Sequence, residues 1–170
     1  MRRKDREMSK DFALEVADKC EYAVLSMTDA RNNAPYCVPI SIVRVQQTVY
    51  FHCAKEGEKI DCLRANPQVC LACVGDTHRM PNIFTTEFES AILRGTASEV
   101  TDAQEKITAL KHLCERHTPT NMANFDSEVA SSLDRTAVWK IEIESITGKR
   151  KKYDENGKEM KFGRMTASAI

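Results

Sequence analysis

The segment Tyr50-Phe-His-Cys-Ala-Lys-Glu-Gly-Glu-Lys59, continued by Ile60-Asp-Cys-Leu-Arg-Ala-Asn-Pro67, brings together residue types that can do chemistry. An apolar strand runs to His52 and Cys53, a polar turn follows, and a helix opens near Lys59. Free amides and the helix dipole at such a start favour an anion, and a lysine in the first turn adds a full positive charge. His52 and Cys53 fall on opposite faces of the strand, because successive side chains alternate. A phosphate at the helix and a flat ring at the strand end would then form a mononucleotide pocket. The same residues also fit a capped helix with a solvated lysine and a satisfied histidine.

Pro39 is a second clue. Proline donates nothing to a sheet ladder, so Val38-Pro39-Ile40-Ser41 reads as a strand edge or bulge. Such a place leaves backbone groups free for a ligand, although a plain edge strand fits as well. Cys70-Leu-Ala-Cys73 is a CxxC on an apolar strand, which sends its thiols to opposite faces. With no second CxxC, it reads as a buried structural pair rather than a zinc or redox site. His112 and His117 are five apart on a helix, about 140° around its axis, which suits no shared metal. No metal site is expected. Nucleophile elbow, phosphate-binding P-loop and GxGxxG are all absent from the sequence, which removes the commonest hydrolase and nucleotide-binding readings. A barrel that holds flavin without a glycine-rich loop remains open.

The elements that must position these residues follow from periodicity and turn chemistry. Residues 9–20 predict a helix capped by Ser9, and residues 22–27 a strand. Asp29, Asn32 and Asn33 mark a turn. Residues 36–45 and 48–54 predict strands joined tightly at Gln46-Gln47, and residues 56–65 a short helix stopped by Asn66-Pro67. A strand over 69–74 precedes a long polar loop over 75–86, expected to serve function or an interface. A strand over 87–100 carries Gly95 as a bulge candidate. Residues 102–117 form an amphipathic helix with Ile107, Leu110, Leu113 and Cys114 on one stripe, followed by a short helix over 127–133. The last strand spans 136–146, and Asn156-Gly157 suits a small hairpin. Six strands with inserted rather than alternating helices predict a mainly β, antiparallel barrel, not a doubly wound parallel sheet.

Composition sets the outer limits. The chain has 170 residues, 42% apolar and 29% charged, with 25 basic and 25 acidic side chains. One domain is expected over residues 1–150, with a polar tail over 151–170. Zero net charge argues against a general nucleic-acid binder, and no apolar run is long enough for a membrane span. The charge is uneven: residues 1–10 sum to +3, residues 149–164 to +4, and residues 11–148 to −7. Basic ends of this kind are expected as solvated tails. An odd count of seven cysteines and a charged start without an apolar h-region point to free thiols in the cytoplasm.

Several pieces, in order, resemble the flavin-binding split-barrel superfamily of pyridoxamine 5′-phosphate oxidase, and within it the 5-nitroimidazole resistance (Nim-type) branch. They are Met1-Arg-Arg-Lys-Asp-Arg-Glu7, Pro35-Tyr-Cys-Val-Pro-Ile-Ser41, Phe51-His-Cys-Ala-Lys-Glu-Gly-Glu-Lys59, Leu63-Arg-Ala-Asn-Pro67, Phe84-Thr-Thr-Glu-Phe-Glu-Ser-Ala-Ile-Leu-Arg-Gly95 and the strand from Trp139 to Lys149. The resemblance implies a six-stranded Greek-key split barrel that dimerises, with FMN in the groove between subunits. It places Val38, Pro39, Ile40 and Ser41 beside the cofactor, His52 and Cys53 at the strand end, Lys59 on the phosphate and Ser90 near the ring. It makes His52 the residue for proton delivery. It implies an oxidoreductase that takes electrons from NAD(P)H or another donor and reduces a small flat acceptor such as a nitroaromatic. A non-catalytic FMN- or haem-binding protein on the same barrel is the alternative, with His52 or His78 as axial ligand. Two features depart from the oxidase. Glu58-Lys59 replaces its Arg-Lys pair, which weakens phosphate binding unless Arg64 or another basic group compensates. The end Met165-Thr-Ala-Ser-Ala-Ile170 lacks its substrate-holding Arg/His segment, so the vitamin oxidase reaction itself is not expected.

Overall fold

In the computed structural model, residues 1–29 and 31–163 are described, so the Met165–Ile170 end lies outside the described residues. The strands are β1 (Glu7–Met8), β2 (Ala23–Thr28), β3 (Pro35–Ile40), β4 (Val43–Val45), β5 (Thr48–Ala54), β6 (Gln68–Met80), β7 (Thr85–Glu99) and β8 (Thr136–Lys151). The helices are α1 (Lys10–Lys19), α2 (Glu58–Ala65), α3 (Ala103–His117) and α4 (Phe125–Ser132). Helix α1 starts where Ser9 Oγ accepts from the Phe12 amide at 3.1 Å, and α3 where Asp102 Oδ1 accepts from the Glu105 amide at 2.7 Å. Each cap satisfies one of the amides that a helix start leaves without a partner.

All strand pairings are antiparallel, in the order β3-β2-β6-β7-β8-β5-β4, with β1 added to β8. The two edge strands, β3 and β4, are neighbours in the chain, separated by Ser41 and Ile42. Three residue steps reach no further than about 11 Å, so the ends of the sheet must come together. The sheet therefore curls into a barrel that is split along one seam. Its interior is filled by alternate residues such as Leu25, Phe51, Leu71, Leu93 and Ile141, all buried. Burying each such side chain contributes about 1.5–3 kcal/mol. Ala13, Val16 and Ala17 of α1 join this core, whereas α3 packs Ala109 against Val138 on the outer face of β8.

The mainly β split barrel expected from the sequence is thus present, and the differences lie in individual elements. The strand expected over 36–45 is two strands. It breaks because the Ile42 carbonyl leaves the ladder and accepts from Arg116 Nη1 and His117 Nε2, both at 2.8 Å. The loop expected over 75–86 is mostly strand: β6 and β7 run on as a ribbon, shifted in register between Val74 and Thr77, and Pro81–Phe84 forms the tip. Much of the ribbon is exposed, so its residues show no apolar alternation. Strand β8 likewise outruns its expected end, and α4 begins at Phe125 after a 3-10 turn over Pro119–Asn124. The basic ends are tied together rather than free. Arg6 Nε donates to Glu159 Oε1 at 2.6 Å, and Lys161 Nζ to Asp5 Oδ2 at 2.9 Å. Gly157, at φ +75°, turns the small hairpin that bridges Tyr153 and Glu159. At Gly95 the register shifts as expected, and any Cβ would run into the Glu142 carbonyl. Among the described residues no helix is long and apolar enough to cross a membrane.

Candidate functional site

The split in the barrel makes the site. Strand β5 pairs with β4 only over Thr48–Tyr50, but with β8 as far as Ala54. Among the described residues, no strand lies beside its second edge beyond Tyr50 or beside the outer edge of β3. A groove of about 580 Å³ opens there, with Pro39–Ser41 in one wall, His52–Ala54 in another, and Lys59 and Arg135 contributing their side chains. That volume suits a cofactor-sized ligand, and the unpaired strand edges offer it backbone hydrogen bonds. Pro39 sits on the edge strand that its missing N–H demands.

Of the eight residues expected at a cofactor, six line this groove: Pro39, Ile40, Ser41, His52, Cys53 and Lys59. Val38 instead turns toward the core and is partly buried against it. Ser90 lies on β7 between Val74 and Lys149 and does not line its own chain's groove. His78 lies on the ribbon opposite Glu87, in a separate cleft with Asp76 and Arg150.

The groove is positive. Lys59 Nζ rests 5.7 Å from the centroid of the Phe51 ring, a cation–π contact that orients it. The second cation is Arg135, not Arg64. Arg64 pairs with Glu99 at 3.3 Å, while Arg135 precedes β8, whose Thr136 is opposite Ala54 of β5. Arg135 was not legible locally, since only the strand register brings it to the groove. Glu58 is paired with Arg31, which also pairs with Asp29 at 2.9 Å. Helix α2 begins at Gly57, φ +124°, with no side-chain cap on its amides. Two cations and an uncapped helix start fit a phosphate group, and the open strand edges beside them fit a flat ring.

His52 and Cys53 divide across β5 as the alternation requires. Cys53 packs toward the core, and burial pushes its thiol above the ordinary value, so it stays protonated. His52 faces α3. Burial, then the charges of Lys59 and His117, hold its pKa below the ordinary value, so at neutral pH the imidazole is mostly uncharged. His117 shares the Ile42 carbonyl with Arg116. A carbonyl only accepts, so Nε2 of His117 carries the hydrogen. Arg116 also donates to the Cys20 carbonyl at 2.6 Å, which clamps α1, α3 and the β3–β4 break together. These two residues hold the chain at Ile42, next to Ser41 of the groove wall. His112 is not their partner but meets Glu115 at 3.2 Å, as the helical angle demanded. The CxxC thiols point apart, Cys73 buried and Cys70 half-buried, and all seven cysteines are free.

Comparison with known proteins supports the architecture. The family model described as pyridoxamine 5′-phosphate oxidase matches residues 9–150. No curated protein matches the chain. Among solved structures, a candidate 5-nitroimidazole antibiotic resistance protein from Bacteroides thetaiotaomicron is similar at 24% identity and TM-score 0.72, over 85% of this chain and 86% of that one. An FAD and haem binding protein from Mycobacterium smegmatis is similar at 17% identity and TM-score 0.73, over 98% and 90%. A haem storage protein from Vibrio cholerae is similar at 18% identity and TM-score 0.60, over 83% and 91%. The chain belongs to the pyridoxamine 5′-phosphate oxidase family of flavin-binding split barrels.

Proposed function

We propose that this family member is a cytoplasmic FMN-dependent oxidoreductase of Nim type that reduces a small flat acceptor such as a nitroaromatic. The observation that carries the reading is the groove itself. It joins unpaired strand edges at Pro39–Ser41 and His52–Ala54 to two cations, Lys59 and Arg135. Lys59 and Arg135 bind the phosphate, and the strand edges orient the ring between them. When bound, the flavin supplies the transfer of electrons from NAD(P)H to the acceptor. His52 delivers a proton to the acceptor as its negative charge grows, taking the proton back from solvent. Cys53, held as a neutral thiol, contributes packing rather than charge. A second copy of the chain closes the groove, and Ser90, remote from its own groove, reaches the ring from that copy. The seven free thiols suit a reducing compartment.

A carrier of FMN or haem on the same barrel is the competing reading, favoured by the haem-binding and haem-storage proteins among the similar structures. The absorption spectrum of the purified, reconstituted protein decides. Bands near about 370 and 450 nm mark flavin, and a Soret band near about 400 nm marks haem. NADH oxidation coupled to loss of a nitro compound then separates enzyme from carrier. A protein that stays colourless with either cofactor contradicts both.

A further inference from the structure

A second cavity lies directly beside the groove, between α3, the 3-10 turn and α4. Its volume is about 370 Å³, and it shares Ser41, His52 and Thr136 with the groove, so the two are continuous. We propose that this cavity is the acceptor site, and that it selects an uncharged or cationic, unphosphorylated heteroaromatic of about a dozen non-hydrogen atoms. The inference rests on the oxidoreductase reading for the word acceptor, and on the cavity alone for the ligand's size and charge.

The size follows from the volume, which is at the small end for ligand pockets. The flat apolar part follows from the walls: Leu110 and Leu113 on α3, Met122 on the turn, and Phe125 and Val129 on α4. The charge follows from what the lining contains. Among the described residues no lysine or arginine borders the cavity, and Glu128 does. The groove next to it carries Lys59 and Arg135. The lysine and arginine charges therefore lie on the cofactor side. A phosphate ester in the cavity would meet a carboxylate and no cation, and would lose the hydration it gives up on entry. His117 adds a directional group. With its Nε2 hydrogen committed to the Ile42 carbonyl, the ring nitrogen left for a ligand is Nδ1. The Glu128 carboxylate favours a ligand that donates hydrogen bonds. His52 stands in both walls, so a ligand here lies against the residue assigned to proton delivery.

The test uses metronidazole, a neutral hydroxyethyl nitroimidazole, and its phosphate ester. Calorimetry is run on the full-length protein with and without FMN, while flavin uptake is followed separately by fluorescence. Metronidazole is expected to bind at least about tenfold more tightly than its ester when FMN fills the groove, since in the empty groove the ester's phosphate can reach Lys59 and Arg135. Val129→Trp, which fills the cavity, should weaken metronidazole about tenfold or more and leave FMN affinity unchanged. Should that variant fail to fold, Ser132→Phe at the half-buried end of α4 fills the same space. Glu128→Lys, at an exposed position, should shift the preference toward the ester. Equal affinity for alcohol and ester with FMN bound, no binding of either, unchanged affinity on filling, or an unchanged preference in Glu128→Lys overturns the proposal. Failure to take up flavin would instead count against the oxidoreductase reading, since the loss of metronidazole affinity in Val129→Trp still reports on the cavity.

Discussion

Removing the two groove cations should separate the phosphate's contribution to flavin binding from that of the ring. Lys59 and Arg135 line one groove, and among the described residues neither has a carboxylate partner. A hydrogen bond between charged groups is worth about 1.5–3 kcal/mol net, well below the roughly 4 kcal/mol that two charges 4 Å apart would give at an intermediate dielectric. The groove is open to solvent, so the lower figure is the apt one. Lys59→Ala and Arg135→Ala should each weaken FMN about 10- to 100-fold, and the double variant about 100-fold or more. Riboflavin carries the same ring without the phosphate and serves as the control. Its affinity should be weak in the wild type and nearly unmoved in all three variants. Quenching of flavin fluorescence at low salt measures both ligands, and added salt should weaken FMN alone. An FMN affinity that stays within about twofold in the double variant refutes the phosphate assignment. So does a riboflavin affinity that falls in parallel, because the lost interaction would then be with the ring.

Three further outcomes follow from other parts of the structure. With its pKa held below the ordinary value of 6.5, His52 is less than about a quarter protonated at pH 7. Turnover should therefore rise as pH falls toward that pKa, and His52→Gln should flatten the pH–rate profile while leaving flavin affinity intact; a variant with the wild-type slope would remove His52 from proton delivery. Arg116→Met withdraws donors from the Ile42 and Cys20 carbonyls and should cost about 2–4 kcal/mol in urea unfolding. It should also loosen FMN binding, and a destabilised protein with unchanged flavin affinity would show that the clamp does not shape the groove. Gly95→Ala forces a methyl into the Glu142 carbonyl at the β7–β8 bulge and should cost about 2–4 kcal/mol, read as a lowered Tm. A Tm within about a degree of wild type would mean the bulge relaxes freely.

Much of the site was legible because its residues are close in sequence. His52, Cys53 and Lys59 span one strand end and one helix start, and Pro39 announces an edge on its own. What stayed hidden is what distant segments supply. Arg135 reaches the groove only because β8 begins opposite the end of β5, a register no local pattern states. Arg116 and His117 break the strand expected over 36–45 from the far end of α3, so a tertiary hydrogen bond overrode strand propensity. The long ribbon of β6 and β7 read as loop because its residues follow no apolar period. Val38 was assigned to the cofactor as part of a contiguous run, although it packs against the core and does not line the groove.

The account stands or falls on what the seam between β3 and β5 holds. A crystal structure of the protein grown with FMN should show the ring against Pro39–Ser41 and His52–Ala54, with the phosphate between Lys59 and Arg135. A flavin bound elsewhere on the barrel, or a seam filled by the protein's own side chains, would contradict it.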